Sequence, residues 1–268
     1  MNGLAANLRL YRIHQVAAGA LVWMPVLFLH LIERHGLGAA LRLQAVYYIA
    51  VVLSEVPTGR FSDRFGRVVT MRLVALAWFA AMVAFAAGDA VIWAAVGQVL
   101  LAIGIAGMSG TDVSFHLDTL EALGRGDEFA PAEAAARRGM LIATAVAAAA
   151  SGFLWTVDPR LPFVAAGVAA AMQGVVAFRL VEPSAAVGGT DRTSLRAATT
   201  ALGRGGRRTL AWLGTAMVVH VVTVHLVAEL AVPFQLDVFG GDTPELAAVS
   251  NGVLVAAVSS LGALGVAP

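Results

Sequence analysis

The sequence predicts an all-α membrane protein, a polytopic bundle of about eight transmembrane helices. Of its 268 residues, 59% are hydrophobic and only 13% are charged, whereas about a quarter of the residues in a soluble globular chain carry charge. The apolar residues gather into runs close to the roughly 20 residues that a helix needs to cross a bilayer. These runs do not alternate polar and apolar residues, as the strands of a membrane barrel would. Helices are therefore the predicted spans, since lipid cannot satisfy open backbone groups.

Eight apolar runs give the predicted spans. In chain order they are Ile13 to Leu31, Leu43 to Ser54, Leu73 to Gly88, Ala90 to Thr111, Gly139 to Val157, Leu161 to Phe178, Thr209 to Ala228 and Leu246 to Pro268. The second run is short, but it reaches Gly59 if Glu55 lies near the membrane surface. The first is too long for a signal peptide and lacks a cleavage site of small residues, so we expect a retained helix.

The positions of the arginines predict the orientation. All 18 basic residues are arginine, and basic residues in short loops mark the cytoplasmic side of a membrane protein. With the N-terminus in the cytoplasm, 15 of the 18 lie on that side, and only Arg34, Arg42 and Arg160 lie outside. We therefore predict a multi-pass protein of the cell membrane, in contact with membrane lipids, with a cytoplasmic N-terminus.

The longest polar stretch between spans predicts the domain boundary. It runs from Glu182 to Arg208 and contains the turn-rich segment "PSAAVGGTDRTS". Many transporters are built from helix bundles repeated along the chain. We predict an N-terminal six-helix bundle over residues 1–181, a cytoplasmic inter-bundle loop over 182–208, and the first two helices of an incomplete second bundle over 209–268.

The residue types that the chain lacks exclude several kinds of site. There is no cysteine, which rules out thiol nucleophiles and zinc–cysteine sites. There is also no lysine, which rules out Schiff-base chemistry and a phosphate-loop lysine. The sequence has no nucleophile elbow or dinucleotide fingerprint. We expect no enzymatic activity, no cofactor, no metal and no nucleic-acid partner.

The stretch "EVPTGRFSDRFGRVVTMR" gathers charge between two apolar runs. Its arginines suit the cytoplasmic surface and anionic lipid head groups. Pro57 predicts the end of the second span, and Gly59 and Gly66 permit tight turns or close backbone approach. Asp63 can pair with Arg67 or cap the N-terminus of the next helix.

Within this stretch, "GRFSDRFGR" resembles the signature loop of the major facilitator superfamily, G-x-x-x-D-[RK]-x-G-[RK]-[RK]. The residues that match, and to which the resemblance assigns a gating role in a cytoplasmic loop, are Gly59, Asp63, Arg64, Gly66 and Arg67. Val68 departs from the pattern, since a basic residue is usual there. The segments "SEVPTG" and "SGTDVSFHLDTLEALGR" resemble a bacterial branch of the same superfamily.

The resemblance implies a transporter with two six-helix bundles that moves a small-molecule substrate by alternating access. It would be a secondary carrier for efflux or uptake, and coupling to protons or to another ion stays open. Members have about twelve helices, so a chain of eight looks like an N-terminal portion. The family's signature aspartate, here Asp63, is thought to meet a helix of the second bundle, which we expect beyond Pro268. The alternative hypothesis is a truncated, non-transporting membrane protein that acts as a scaffold or as half of an oligomer.

Two carboxylates near the cytoplasmic ends of spans are candidates for function, because charge within lipid is costly. Glu55 either pairs with a nearby arginine or lines the inner mouth of the solute path. Asp112 shares a helix face with His116. Either this helix continues into the cytosol with a solvated polar end capped by Gly124, or Asp112 faces a cavity or the interface between domains.

A second pair of candidates lies in the seventh span. His225 and Glu229 are four residues apart, so one helix face presents both. They either form a pair that takes and releases a proton or lie at the outer membrane surface. The fourth span carries a row of glycines that predicts close helix packing. It has Gln98 where many proton-linked exporters of the resembled superfamily have an arginine, and a glycine–proline pattern typical of their fifth span is absent. Both departures weaken a proton-antiport interpretation.

Overall fold

The computed structural model describes residues 2–183, 231–238 and 243–265, with residues 206, 208, 209, 212, 215 and 216. All regular secondary structure in these residues is helical, as predicted. The helices are α1 Asn2–Gly19, α2 Leu27–His35, α3 Leu37–Phe65, α4 Arg67–Ala87, α5 Val91–Met108, α6 Thr111–Ala122, a 3-10 turn at Gly126–Glu128, α7 Phe129–Val157, α8 Leu161–Arg179 and α9 Pro244–Gly265. A helical segment over residues 231–238 precedes α9.

Six stretches of the described chain are helical, long and apolar enough to cross a membrane. They are Leu37–Phe65, Arg67–Ala87, Val91–Ala122, Gly126–Val157, Leu161–Arg179 and Pro244–Gly265. These six are consistent with a multi-pass membrane protein. The predicted span over residues 209–228 lies almost wholly outside the described residues.

The first predicted span is not one continuous helix, which corrects the sequence-based expectation. α1 ends at Gly19 and α2 begins at Leu27, and the residues between them form turns. Open backbone at membrane depth needs partners from elsewhere in the protein. Thr144 Oγ1 of α7 donates to the carbonyl of Gly19 at 2.9 Å, and Asn251 Nδ2 of α9 donates to the carbonyl of Pro25 at 2.6 Å. Two helices far along the chain therefore provide hydrogen-bond donors for backbone carbonyls at the break.

The fourth predicted span is interrupted as well. α5 ends at Met108, and α6 begins at Thr111 after Gly110, which has a φ of 73°. The predicted close packing is confirmed for Gly97, Gly104 and Gly107, whereas Gly110 lies in the break with open space around it. Because these glycines of α5 have no side chain, large side chains of α4 can pack against them. Phe85 packs against Gly97, and Trp78 packs against Gly104.

The second span does not end at Pro57, which corrects another expectation. α3 continues through this proline to Phe65. Proline removes one backbone donor from the helix. The carbonyl that loses this donor is that of Leu53; the neighbouring carbonyl of Ser54 accepts a hydrogen bond of 2.7 Å from Thr58 Oγ1. The turn between α3 and α4 is instead made at Gly66, whose φ is 95°.

The contacts at the two ends of the bundle, taken together, show that successive helices run in opposite directions. We call the end that carries Arg60, Arg64, Arg67 and Arg72 the arginine-rich end. There, Arg72 of α4 donates from Nε to the carbonyl of Ala177 at 3.2 Å and from a terminal nitrogen to that of Leu180 at 3.2 Å, at the C-terminus of α8. A cation at this place also interacts favourably with the helix dipole.

The opposite end of the bundle carries a separate ion-pair group. Asp89, between α4 and α5, pairs with Arg34 of α2 and lies 3.6 Å from a guanidinium nitrogen of Arg160, which precedes α8. Between the two ends, a buried apolar core joins side chains such as Leu29, Phe85 and Phe163. α9 packs closely on α7, because Gly152 and Gly252 let the two backbones approach.

Candidate functional site

The helices surround a partly open cavity of about 820 Å³ that both interrupted spans line. The turn between α1 and α2 contributes Leu21, Trp23 and Pro25, and the break between α5 and α6 contributes Ser109 and Gly110. In transporters, interrupted helices bring polar backbone groups to a site within the membrane. The interruptions in the first and fourth predicted spans therefore both lie at the wall of this cavity.

Uncharged amide side chains from several helices line this cavity. Gln15 comes from α1, Gln44 from α3, Gln98 from α5, Gln173 from α8 and Asn251 from α9. Gln98 Nε2 donates to Gln44 Oε1 at 2.8 Å. Gln98 Oε1 and Gln173 Nε2 are buried and have no hydrogen-bond partner among the described residues. A buried amide group without a partner costs roughly 1–3 kcal/mol, so this region carries hydrogen-bonding capacity that the described residues leave unsatisfied.

Asp112 places a carboxylate in the cavity wall. It lies in the first turn of α6, and only 7% of its surface is exposed. Its Oδ2 accepts a hydrogen bond of 2.7 Å from Gln15 Nε2. The positive end of the α6 dipole favours a negative charge at this position. Between the two interpretations of this region, the structure places Asp112 toward the cavity rather than on a solvated helix end.

A buried hydrogen-bond network continues from Asp112 toward the arginine-rich end. Gln15 Nε2 also donates to Tyr11 Oη at 2.7 Å, and Tyr11 Oη donates to Glu133 Oε2 at 2.9 Å. His116 Nδ1 lies 2.8 Å from the same Glu133 oxygen, and its ring stacks on that of Tyr11 with centroids 4.2 Å apart. The network joins α1, α6 and α7, and it fixes the amide of Gln15 so that both its hydrogens point to oxygen atoms.

Glu182 binds the backbone at the turn between α3 and α4. It is not among the candidate residues predicted from the sequence. Its carboxylate accepts hydrogen bonds from the backbone N–H groups of Arg67 at 2.8 Å and Val68 at 2.7 Å. These are free donors at the N-terminus of α4, where an anion is stabilised. A β-carbon on Gly66 would lie 2.9 Å from the carboxylate. The absence of a side chain at Gly66 therefore gives Glu182 access to the helix end.

Val181, two residues after the end of α8, is held by a second contact at the same end. Asn7, fully buried in α1, donates from Nδ2 to the carbonyl of Val181 at 2.8 Å and accepts from its N–H at 3.1 Å. Together with the bonds of Glu182, this fixes residues 181 and 182 against α1 and α4.

Arg67 and Asp63 do not pair with each other, contrary to one of the two expectations for Asp63. Arg67 Nε instead lies 2.9 Å from Asp118 Oδ2 of α6. Asp63 does not cap α4 either, since Glu182 occupies that place. Asp63 is exposed on α3, and no described residue forms a hydrogen bond or an ion pair with its side chain.

The other selected residues at this end are also placed by the structure. Gly59 lies exposed within α3, and a β-carbon there would meet no atom within 4 Å. The Arg64 guanidinium carbon lies 5.4 Å from the centre of the Phe65 ring. Glu55 is exposed on α3; it pairs with no arginine of the described chain and is not among the residues of the cavity wall. Asp63 and Glu55 thus lie outside the cavity that Asp112 lines.

His225 and Glu229, the proton-coupling candidates of the seventh span, lie outside the described residues. The cavity amides are the site residues that the sequence analysis missed. A signal for them exists: the chain has five glutamines, and four of them line the cavity. Each of those four lies in a different predicted apolar run. A search for single uncharged amides within apolar runs would have found them.

Comparison of the chain with protein-family models and with curated proteins finds no match in either set.

Proposed function

We propose that the chain is a membrane transporter of the major facilitator type that moves a small solute by alternating access. The observation that carries the proposal is the cavity, because interrupted helices, several amides and one carboxylate converge there within an otherwise apolar bundle. A purely structural bundle gains nothing from an internal space with unpartnered polar atoms. The match of Gly59, Asp63, Arg64, Gly66 and Arg67 to the superfamily's signature supports the same function.

The proposal includes the finer features that the resemblance implies. These are eight spans, a cytoplasmic N-terminus and a place in the cell membrane. In this proposal Asp63 remains exposed on α3 because its partner belongs to the second helix bundle.

Alternating access is tested by cysteine labelling, which the cysteine-free chain makes straightforward. Ser109→Cys places a thiol in the cavity wall, and Val168→Cys places one on the exposed apolar face of α8. Both are treated with a membrane-impermeant maleimide in sealed vesicles of each orientation. We expect Ser109→Cys to react from both sides, because the cavity opens to each side in turn, and Val168→Cys to react from neither. Reaction of Ser109→Cys from one side only, or from none, contradicts alternating access.

One observation favours the alternative of a scaffold or an oligomer half. α3 presents a broadly exposed apolar face, with Ile49, Val52, Leu53 and Val56 each 59–72% exposed. Lipid covers such a face in a monomer, whereas a second subunit covers it in an oligomer. Mass measurement of the detergent-solubilised protein separates the two. A stable oligomer together with one-sided labelling of Ser109→Cys would favour the alternative.

A further inference from the structure

Among the described residues, Asp112 has no cationic partner, and it lies in a cavity whose wall carries little other charge. Among the described residues that line the cavity, Asp112 is the one acid and Arg137 the one base. Arg137 already has a counter-ion, because its Nε lies 3.4 Å from Glu133 Oε1. No described arginine or histidine lies within ion-pair distance of Asp112.

The carboxylate is nevertheless built into the wall. A buried ion without a partner is costly, so proteins pair such groups or neutralise them. Here Gln15 donates one hydrogen bond to Asp112, and Tyr11 and Glu133 hold Gln15 in place. The interactions that position Asp112 use uncharged donors, so its negative charge remains unmatched within the described chain.

The rest of the wall suits an organic cation. Trp23, Tyr47, Tyr48 and Trp78 line the same cavity, and aromatic faces attract cations. The remaining wall is largely aliphatic, which suits an apolar skeleton. A small metal cation fits less well, because hard cations such as Ca²⁺ and Mg²⁺ need a close shell of oxygen ligands.

From this arrangement we infer that the solute is a singly charged amphipathic organic cation, with its charge near Asp112 and its apolar part against the aromatic and aliphatic wall. The inference rests on the proposed function for its physiological meaning, but binding itself can be measured without transport.

The test uses two ions of matched size and shape and opposite charge, tetraphenylphosphonium and tetraphenylborate. Binding of each to the purified full chain in detergent is measured by equilibrium dialysis, with protein-free micelles as the blank. We expect the phosphonium to bind the wild-type protein and the borate to bind at least tenfold more weakly. Asp112→Asn keeps the shape of the side chain and removes its charge, and it should weaken phosphonium binding at least tenfold. Glu121→Gln removes an exposed carboxylate from the same helix and should leave binding unchanged.

Any one of four results would contradict the inference. Equal binding of the two ions to wild-type protein would show that the cavity does not select cations, and this result needs no variant to fold. Unchanged phosphonium binding by Asp112→Asn, with its thermal unfolding intact, would remove Asp112 from the site. Saturation by Na⁺ at millimolar concentration that displaces the phosphonium would assign the carboxylate to a metal ion. Two-sided labelling of Ser109→Cys without any phosphonium binding would leave the transporter proposal standing and reject the cation.

Discussion

Gly59 and Gly66 occupy the two glycine positions of one sequence pattern, but the structure uses them differently. Gly66 has a φ of 95°, a conformation that side chains with a β-carbon adopt at a cost, and it faces the Glu182 carboxylate. Gly59 is an ordinary helical residue with open space around it. A pattern in a sequence cannot separate these cases, because the difference depends on a carboxylate more than a hundred residues away.

This difference predicts opposite effects for the same substitution. Gly66→Ala should lower the free energy of unfolding by about 1–3 kcal/mol, through backbone strain and displacement of Glu182 from the end of α4. Gly59→Ala should leave it unchanged or raise it by up to about 1 kcal/mol, since alanine favours helix more than glycine does. Both are measured by titrating the protein from mild detergent into SDS. Equal destabilisation by the two substitutions would show that Glu182 does not depend on the bare backbone at Gly66.

At the scale of the element, the interrupted helices show what hydropathy can and cannot predict. Apolar runs mark where the chain crosses the membrane, because burial of apolar surface decides that. A hydropathy pattern does not show where the backbone leaves the helix inside a run. The break at residues 20–26 depends on Thr144 and Asn251, which satisfy carbonyls of Gly19 and Pro25 from helices far along the chain. Pro57 shows the reverse case, since a residue that predicts a helix end lies within α3.

The packing of α7 against α9 makes a prediction at the same scale. A β-carbon on Gly152 would lie 2.5 Å from the Cα of Val249 and 2.7 Å from the carbonyl oxygen of Ala248. Since these are backbone atoms, the helices must move apart to accept it. Gly152→Ala should therefore cost about 1–3 kcal/mol, the range of overpacked sites. Unfolding by SDS titration measures the change.

The matched control for this substitution lies in the same helix. A β-carbon on Gly139 would approach only the flexible side chain of Val16, at 3.4 Å. Gly139→Ala should therefore leave the unfolding free energy unchanged or raise it by up to about 1 kcal/mol, since alanine favours helix more than glycine does. If Gly152→Ala proves as mild as this control, the two backbones are not in the close contact that the structure shows.

For the whole molecule, the sequence predicted the helical class and the alternation of helices, while the convergence at the cavity came from the structure. The alternation follows from short loops between apolar runs, which is local information. Gln15, Gln44, Gln98 and Gln173 are far apart in the chain, and each alone is an unremarkable amide in an apolar run. Their common position at the cavity is set by how helices rotate about their axes, which packing decides. Asp112 was selected from the sequence as a buried charge, and its surroundings became known only from the fold.

The positions of the arginines in short loops predict how the whole molecule is oriented in the membrane. The arginine-rich end holds the α6–α7 turn, and the opposite end holds the start of α3. Since arginine in short segments stays in the cytoplasm, the arginine-rich end should face inward. Asp127→Cys and Gly38→Cys introduce single thiols at exposed positions of the two ends. On intact cells an impermeant maleimide should label Gly38→Cys, and it should label Asp127→Cys only after permeabilisation. The reverse pattern would mean that the arginine count does not determine the orientation, and labelling of both thiols from outside would contradict the alternation of the helices itself.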